Sequence, residues 1–231
     1  IFIEDDSFTI NKKRVLEFCR EMQERGIHIS WSCQSRATLD YETMKAMREA
    51  GCRLLDVGYE SGNDEILQNI KKGTTVQQLR EFTKNAKKAK LKILADFVIG
   101  FPGENKDTAK NTLELIKELK PDLLQIAVAT PMPGTAFYTW AKENGYLLSE
   151  DLEHSLDSNG FQKCIISYPK LTCEEIQNIV DRSLKEYYLS ASYVPIVVRS
   201  ISTRGGLHEL KLMIKSVPIL IDYLKRDKQS T

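Results

Sequence analysis

Carboxylates, hydroxyls and glycines recur along this sequence in short groups, each closing an apolar run. Glu4-Asp5-Asp6 follows the first such run, Gln34-Ser35-Arg36 the second and Gly58-Tyr59-Glu60-Ser61-Gly62 the third. Asp96 lies inside the fourth, which ends in Gly100-Phe101-Pro102-Gly103-Glu104, and the fifth leads into Pro131-Met132-Pro133-Gly134-Thr135. A carboxylate at such a place can accept from hydroxyl or ammonium groups of a ligand. A glycine lets the backbone approach a ligand closely or sit at positive φ. Each group also has a plain structural reading: Pro-Gly pairs make ordinary turns, Glu60 can cap the helix after it, and Asp5 or Asp6 can be a solvated helix cap. Their shared position favours the functional reading, because a parallel βα fold places its site beyond the C-terminal ends of its strands.

The elements that must position these groups alternate regularly. Strand-like runs at residues 1–4, 27–33, 54–59, 93–99 and 123–129 are separated by amphipathic helical stretches at 13–25, 41–50, 64–70, 76–90 and 106–119. Asp40 is a plausible helix cap, Gly26 and Gly51 are stops, and Pro121 ends the last of these helices. The run at 93–99 is mostly apolar, which predicts a strand buried on both faces. The rhythm implies an α/β fold with a parallel sheet, most naturally an arc of a TIM-like (βα) barrel, with a doubly wound open sheet as the alternative. From about residue 146 the rhythm stops, and helices are expected only at 173–189 and 207–224. The expected division is therefore a barrel region, 1–145, and a C-terminal helical accessory region, 146–231.

Composition narrows the classes. Thirty-three Lys and Arg against 32 Asp and Glu give a formal charge of +1, so no overall basic field points to nucleic acid or an anionic membrane. The five cysteines, Cys19, Cys33, Cys52, Cys164 and Cys173, form no C-x-x-C or C-x-x-x-C pair and are expected as reduced, core-packed thiols of a cytoplasmic protein. The apolar stretch at 193–201 is far too short to span a bilayer. In the tail, Leu207, Leu210, Met213, Ile214, Val217 and Leu220 fall at helical spacing, flanked by Lys211 and Lys215. Core packing explains that stripe, and a lipid-facing surface with peripheral membrane association is the sharper alternative. Ile1 opens inside a strand-like run and reads as a fragment boundary.

Taken in order, Ala50-Gly51-Cys52, Gly58 to Gly62, Ile70-Lys71-Lys72-Gly73, Asp96 to Glu104 and Pro131 to Thr135 resemble the core of the radical S-adenosylmethionine (SAM) superfamily. The segment Asp5-Asp6-x-Phe8-Thr9 is similar to the branch that often carries an N-terminal cobalamin-binding domain, with its hopanoid-biosynthesis members the nearest likeness. The resemblance covers roughly residues 1–146. It implies a six-stranded partial barrel of which the first strand is missing here, together with the C-x-x-x-C-x-x-C loop that follows it and holds a 4Fe–4S cluster. The cluster cysteines are thus expected upstream of Ile1, with no metal ligand in this chain, and this chain alone is expected to be inactive.

By the same resemblance, Glu60 faces the ribose or methionine part of SAM, Asp96 accepts from the ribose hydroxyls, and Lys72 pairs with the methionine carboxylate, with Lys71 as a competitor. Gly100 to Gly103 would come close to adenosine, Pro133 and Gly134 would close the pocket near adenine, and Arg36, Asp5 and Asp6 could face the ligand. The implied protein is a radical SAM enzyme acting by hydrogen abstraction on a small-molecule or lipid-like substrate, by methylation, rearrangement or C–C bond chemistry. Its expected cofactors are SAM, the cluster and, if the absent domain is present, cobalamin. Its electron donor would be a flavodoxin or ferredoxin. A cluster-less ligand-binding module and a tRNA-modifying relative are the alternatives, the latter disfavoured by the near-zero charge and the helical tail.

Overall fold

The computed structural model describes residues 1–5, 8–158, 160–201, 211, 214, 215 and 218. The chain divides into two compact units, Ile1–Asp181 and Arg182–Thr231.

In the first unit helices begin where a short polar side chain can take up a free backbone N–H. Asn11 opens α1 (Lys12–Glu24), Asp40 opens α2 (Tyr41–Glu49) and Asn63 opens α3 (Asp64–Asn69). Thr75 and Gln78 form a capping box on α4 (Val76–Lys88), as do Asn105 and Thr108 on α5 (Lys106–Leu119). Thr135 opens α6 (Ala136–Glu143), a helix the proline-rich stretch before it had hidden from the sequence reading. Thr172 and Glu175 exchange the same kind of bonds at the start of α7 (Cys173–Tyr188).

Between them run β1 (Phe2–Ile3), β2 (Trp31–Ser35), β3 (Cys52–Glu60), β4 (Lys92–Ile99) and β5 (Leu123–Val128), all parallel and in the order β1-β2-β3-β4-β5. A doubly wound sheet reverses its strand order at a switch point, and this one does not. Right-handed crossovers in an unreversed order put every helix on one face, which is the layout of a barrel arc. Burial agrees: Cys33, Leu55, Val57, Ile93, Phe97 and Ile126 on the helix-covered face are all at most 4% exposed.

The other face is only half-buried, and two expectations change with it. β4 is not buried on both sides: its residues alternate, and Leu94, Asp96 and Val98 look into the half-open inner side. The second strand starts later than expected, because pairing begins only at Trp31 with Cys52, leaving Ile27 and Ile29 exposed before it. Gly51 sits at φ +96 against the Ile29 carbonyl, where a Cβ would collide, so that crossing of α2 into β3 requires glycine.

Residues after α6 pack into the same unit. Leu148 donates to the Ile165 carbonyl (2.9 Å), Ser167 to that of Tyr146 (2.8 Å), and the Gln162 side chain accepts from Val128 N at the free edge of β5 (3.0 Å). In the second unit the apolar stretch forms α8 (Val194–Ile201), and the Tyr187, Tyr188 and Tyr193 rings meet at 5.0–5.5 Å. Of the tail stripe, Ile214 is described and exposed, whereas Leu207, Leu210, Met213, Val217 and Leu220, and with them most of the expected 207–224 helix, lie outside the described residues. No helix among the described residues is long and apolar enough to cross a membrane.

Candidate active site on the inner face of the sheet

The site starts from an irregularity in β3. Its pairing with β4 runs Gly58 to Asp96 and then Glu60 to Phe97, so β3 carries one extra residue, Tyr59. Tyr59 turns to the helix side, where it is buried against Phe97 and Phe82 and bonds Thr83 (2.7 Å). Glu60 then takes a left-handed backbone, φ +64, uncommon for a residue with a side chain and held here by the surrounding sheet. That turn brings its carboxylate to Lys72, with Nζ 2.7 Å from Oε1 and each side chain about a fifth exposed.

Lys72 is placed by the end of α3, its N–H donating to the Leu67 carbonyl (3.0 Å). Lys71 is exposed, so Lys72 is the lysine that the fold turns toward Glu60. Gly58 makes room for the pair: a Cβ there would stand 2.5 Å from Glu60 Oε1 and 2.8 Å from Lys72 Nζ.

Asp96 completes the group. Burial pushes its carboxyl up to about 8, helped by a hydrogen bond and charge from Asp56 and by the charge of Glu60, with Lys72 pulling the other way. Its Oδ1 is buried without a partner. The structure thus draws Glu60, Lys72 and Asp96 into one electrostatically connected cluster. Asp56 and Gln125 join it on the inner face, Gln125 directly opposite Asp96 and Asp56 diagonally across from it. Asp56 escaped sequence reasoning because neither a strand end nor a motif of the resembled family falls on it; the polar residue in an otherwise apolar run was the available signal.

The loop after β4 is built differently. Glu104 folds back to accept from Gly100 N (2.5 Å) and Phe101 N (3.2 Å), and Tyr168 donates to the Gly100 carbonyl (2.7 Å). Glu104 is buried and makes no ion pair among the described residues, so burial raises its carboxyl to about 7 against the pull of those two N–H groups. Burial, with the Glu104 charge next, holds the Tyr168 phenol far above its ordinary range. The space a Cβ would take at Gly100 is bordered by Ile176 and Ala129, and at Gly103 by Asn69. Gly134 meets nothing within 4 Å, and Pro133 beside it is exposed.

The remaining candidates stand at other strand ends. Asp5 pairs with Arg14 of α1 (3.3 Å), Arg36 is exposed with its N–H on Thr9 Oγ1 (3.1 Å), and Asp6 lies outside the described residues.

The thiols do not make an iron–sulfur site. Cys19, Cys33, Cys52 and Cys164 are buried, burial raises the Cys19 and Cys52 thiols, and no group of three metal-binding side chains occurs among the described residues. A cluster therefore does not fit the described residues, whereas the orphaned Asp96 oxygen beside a carboxylate–ammonium pair fits a polar, zwitterionic ligand.

Comparison with known proteins agrees with this layout. A family model described as the radical SAM superfamily matches residues 1–116. An uncharacterized methyltransferase of Pyrococcus horikoshii is 35% identical over 186 residues, covering 80% of this chain and 40% of that protein. The anaerobic magnesium-protoporphyrin IX monomethyl ester cyclase of Cereibacter sphaeroides is 32% identical over 139 residues, 58% of this chain and 23% of that one. The chain thus spans well under half the length of either relative. Among solved structures, the radical SAM methyltransferase TsrM of Kitasatospora setae, with cobalamin and a 4Fe–4S cluster bound, superposes with a TM-score of 0.63 at 15% identity over 80% of this chain and 42% of that one, a likeness of fold. With matched motifs, matched barrel arc and a family model covering half its length, the chain belongs to the radical SAM superfamily.

Proposed function

We propose that the inner face holds SAM, within an enzyme that uses it to modify a small-molecule or lipid-like substrate, methylation being the best-supported reaction. The observation that carries this reading is the Glu60–Lys72 pair at 2.7 Å beside the unpartnered Asp96 oxygen. An amino-acid zwitterion brings both charges needed to replace that pair: its carboxylate can take Lys72 and its ammonium Glu60. Asp96 is then left to receive ribose hydroxyls. The Gly100–Gly103 turn borders adenosine, Pro133 and Gly134 close toward adenine, and Arg36 and Asp5 face the ligand from the ends of the first two strands; the same role expected of Asp6 lies outside the described residues.

SAM, when reductively cleaved, supplies a 5′-deoxyadenosyl radical for hydrogen abstraction. This chain's residues bind and orient it; the cluster is not held by this chain's cysteines. Cobalamin is proposed as a further cofactor, carried by another domain, with support from the methyltransferase relative and the cobalamin-bound structural neighbour. A flavodoxin or ferredoxin is the proposed electron donor and the cytoplasm the proposed location, with peripheral membrane association left to the tail. By role, residues 1–145 form the SAM-facing barrel portion and 146–231 an accessory region.

The test is formation of 5′-deoxyadenosine and methionine from SAM by the whole protein under anaerobic reduction. Turnover that falls with Asp96→Ala and Lys72→Ala at unchanged iron content supports the reading. A whole protein with an intact cluster that neither binds nor cleaves SAM overturns it.

A further inference from the structure

Away from the inner face, two thiols meet at the base of one loop. Residues 165–172 separate Cys164 from Cys173, and the chain folds back at Tyr168 and Leu171, which exchange backbone bonds of 3.0 and 3.3 Å. That return sets Cys173 Sγ on the carbonyl of Cys164 itself, 3.1 Å away, while Cys164 Sγ rests on the Ile166 carbonyl, also at 3.1 Å. The N–H of Cys173 donates to Ser167 Oγ (3.2 Å), and that of Cys164 to Gln177 Oε1 of α7 (3.0 Å), so both backbones are anchored. One sulfur thus touches the residue that carries the other. Bonds from thiol to carbonyl are weak, and either side chain can rotate toward its neighbour.

The two thiols differ in access. Cys173 is half-buried and opens α7, where free backbone N–H groups favour a thiolate. Its thiol is drawn below the ordinary value, chiefly by Cys164 and further by the charge of Lys163, with burial opposing. Cys164 is 4% exposed and lies behind it. An accessible attacking sulfur with a second sulfur at its back suits thiol–disulfide exchange. Cys19, Cys33 and Cys52, at most 2% exposed, lack that access.

We propose that Cys164 and Cys173 are an oxidation site: a small-molecule disulfide converts them to an intramolecular disulfide, which fixes their loop on the Gly100 turn. The Cys173 thiolate attacks one sulfur of the small disulfide, breaks its S–S bond and expels one small thiolate. The Cys164 sulfur then attacks Cys173 Sγ, breaks the mixed disulfide and expels the second. Both protein thiols are oxidised, and the reagent leaves as two thiols carrying their two protons. The loop bears on the site because Tyr168 at its tip donates to the Gly100 carbonyl (2.7 Å), and Ile176 in the first turn of α7 borders Gly100. In the dithiol form, Tyr168 lets go of Gly100 whenever the loop opens. A covalent bond across the base of the loop removes most of those open conformations. Nothing in this inference depends on what the inner face binds.

The test uses the whole protein, purified anaerobically, with oxidised glutathione as the reagent. Alkylation and peptide mapping by mass spectrometry should then find Cys164 and Cys173 joined, a link lost on adding dithiothreitol. In Cys164→Ser the reaction should stop with glutathione on Cys173, and in Cys173→Ser the Cys164 thiol should stay reduced. Amide exchange at Gly100 and Phe101 should slow roughly tenfold in the oxidised wild type and stay unchanged in Cys173→Ser treated alike. The wild-type map decides the matter even where a variant fails to fold. Folded wild-type protein in which both thiols stay reduced, or in which Cys173 keeps glutathione without passing it on, overturns the site. A Cys164–Cys173 disulfide with unchanged exchange at Gly100 and Phe101 overturns its hold on the turn.

Discussion

Glu60 Oε1 lies 2.7 Å from Lys72 Nζ, and the volume this contact fills is the volume a side chain at Gly58 would need. A bulge that costs β3 its regular register thus serves a purpose: it turns one carboxylate out of the strand and leaves a glycine beneath it. Gly58→Ala tests that link without altering any charge. The colliding atoms are ends of flexible side chains, so folding should change little, within about 1 kcal/mol. SAM affinity should drop roughly tenfold as the pair is pushed apart, about 1.4 kcal/mol. Unchanged affinity in calorimetry of the folded variant would separate Gly58 from the site.

The buried Glu104 carboxyl gives a pH signature. Its titration is raised from 4.5 to about 7 by burial. A raised carboxyl favours the folded state fully below its unfolded value, and this contribution is lost as pH climbs through about 7. The stability of wild type relative to Glu104→Gln should therefore fall between about pH 5 and 8, and stay flat above that range. Denaturant unfolding of both proteins at several pH values reads it directly. A difference independent of pH would mean that Glu104 is not the buried titrating group.

Tyr168 ties residues after the barrel portion to the loop after β4. Tyr168→Phe removes the donor to the buried Gly100 carbonyl and should cost about 1–3 kcal/mol. The loss should appear in the denaturation midpoint and as faster amide exchange at Gly100 and Phe101. Wild-type protection at both amides in the variant would show that Glu104 alone holds the loop.

The 231-residue chain, reconstituted anaerobically with iron and sulfide, should hold no stoichiometric four-iron cluster, because its cysteines are scattered and mostly buried. Quantitative iron and sulfide analysis with electron paramagnetic resonance after reduction checks this. A stoichiometric cluster would overturn the statement that ligands must come from other residues.

The regular alternation of apolar runs with capped, amphipathic helices made the sheet legible, because each βα unit carries its own local signals. Asp40 caps α2 as expected, and Gly26 and Gly51 stop their helices at positive φ. Ile27 and Ile29 misled because alternation marks a strand only where a neighbour exists to pair with it, and pairing starts at Trp31. A strand end drew attention to Glu60 and the family motif to Asp96, whose proximity depends on register and on the bulge at Tyr59, neither of which is written locally. Asp56 became visible only once β3 and β4 were aligned. Tyr168 lies in irregular sequence far from Gly100 along the chain, and nothing local announces their contact.

The central claim is that Glu60, Lys72 and Asp96 together receive SAM. Calorimetric titration of SAM into the whole protein, cluster intact and unreduced, on the alkaline side of the Asp96 titration near pH 8, tests it most directly. Asp96→Ala should lose hydrogen bonds worth about 1.5–3 kcal/mol, a roughly ten- to hundredfold weakening, and Lys72→Ala should weaken SAM while leaving iron content unchanged. Wild-type SAM affinity in both folded variants would contradict the assignment, even with membership of the superfamily intact.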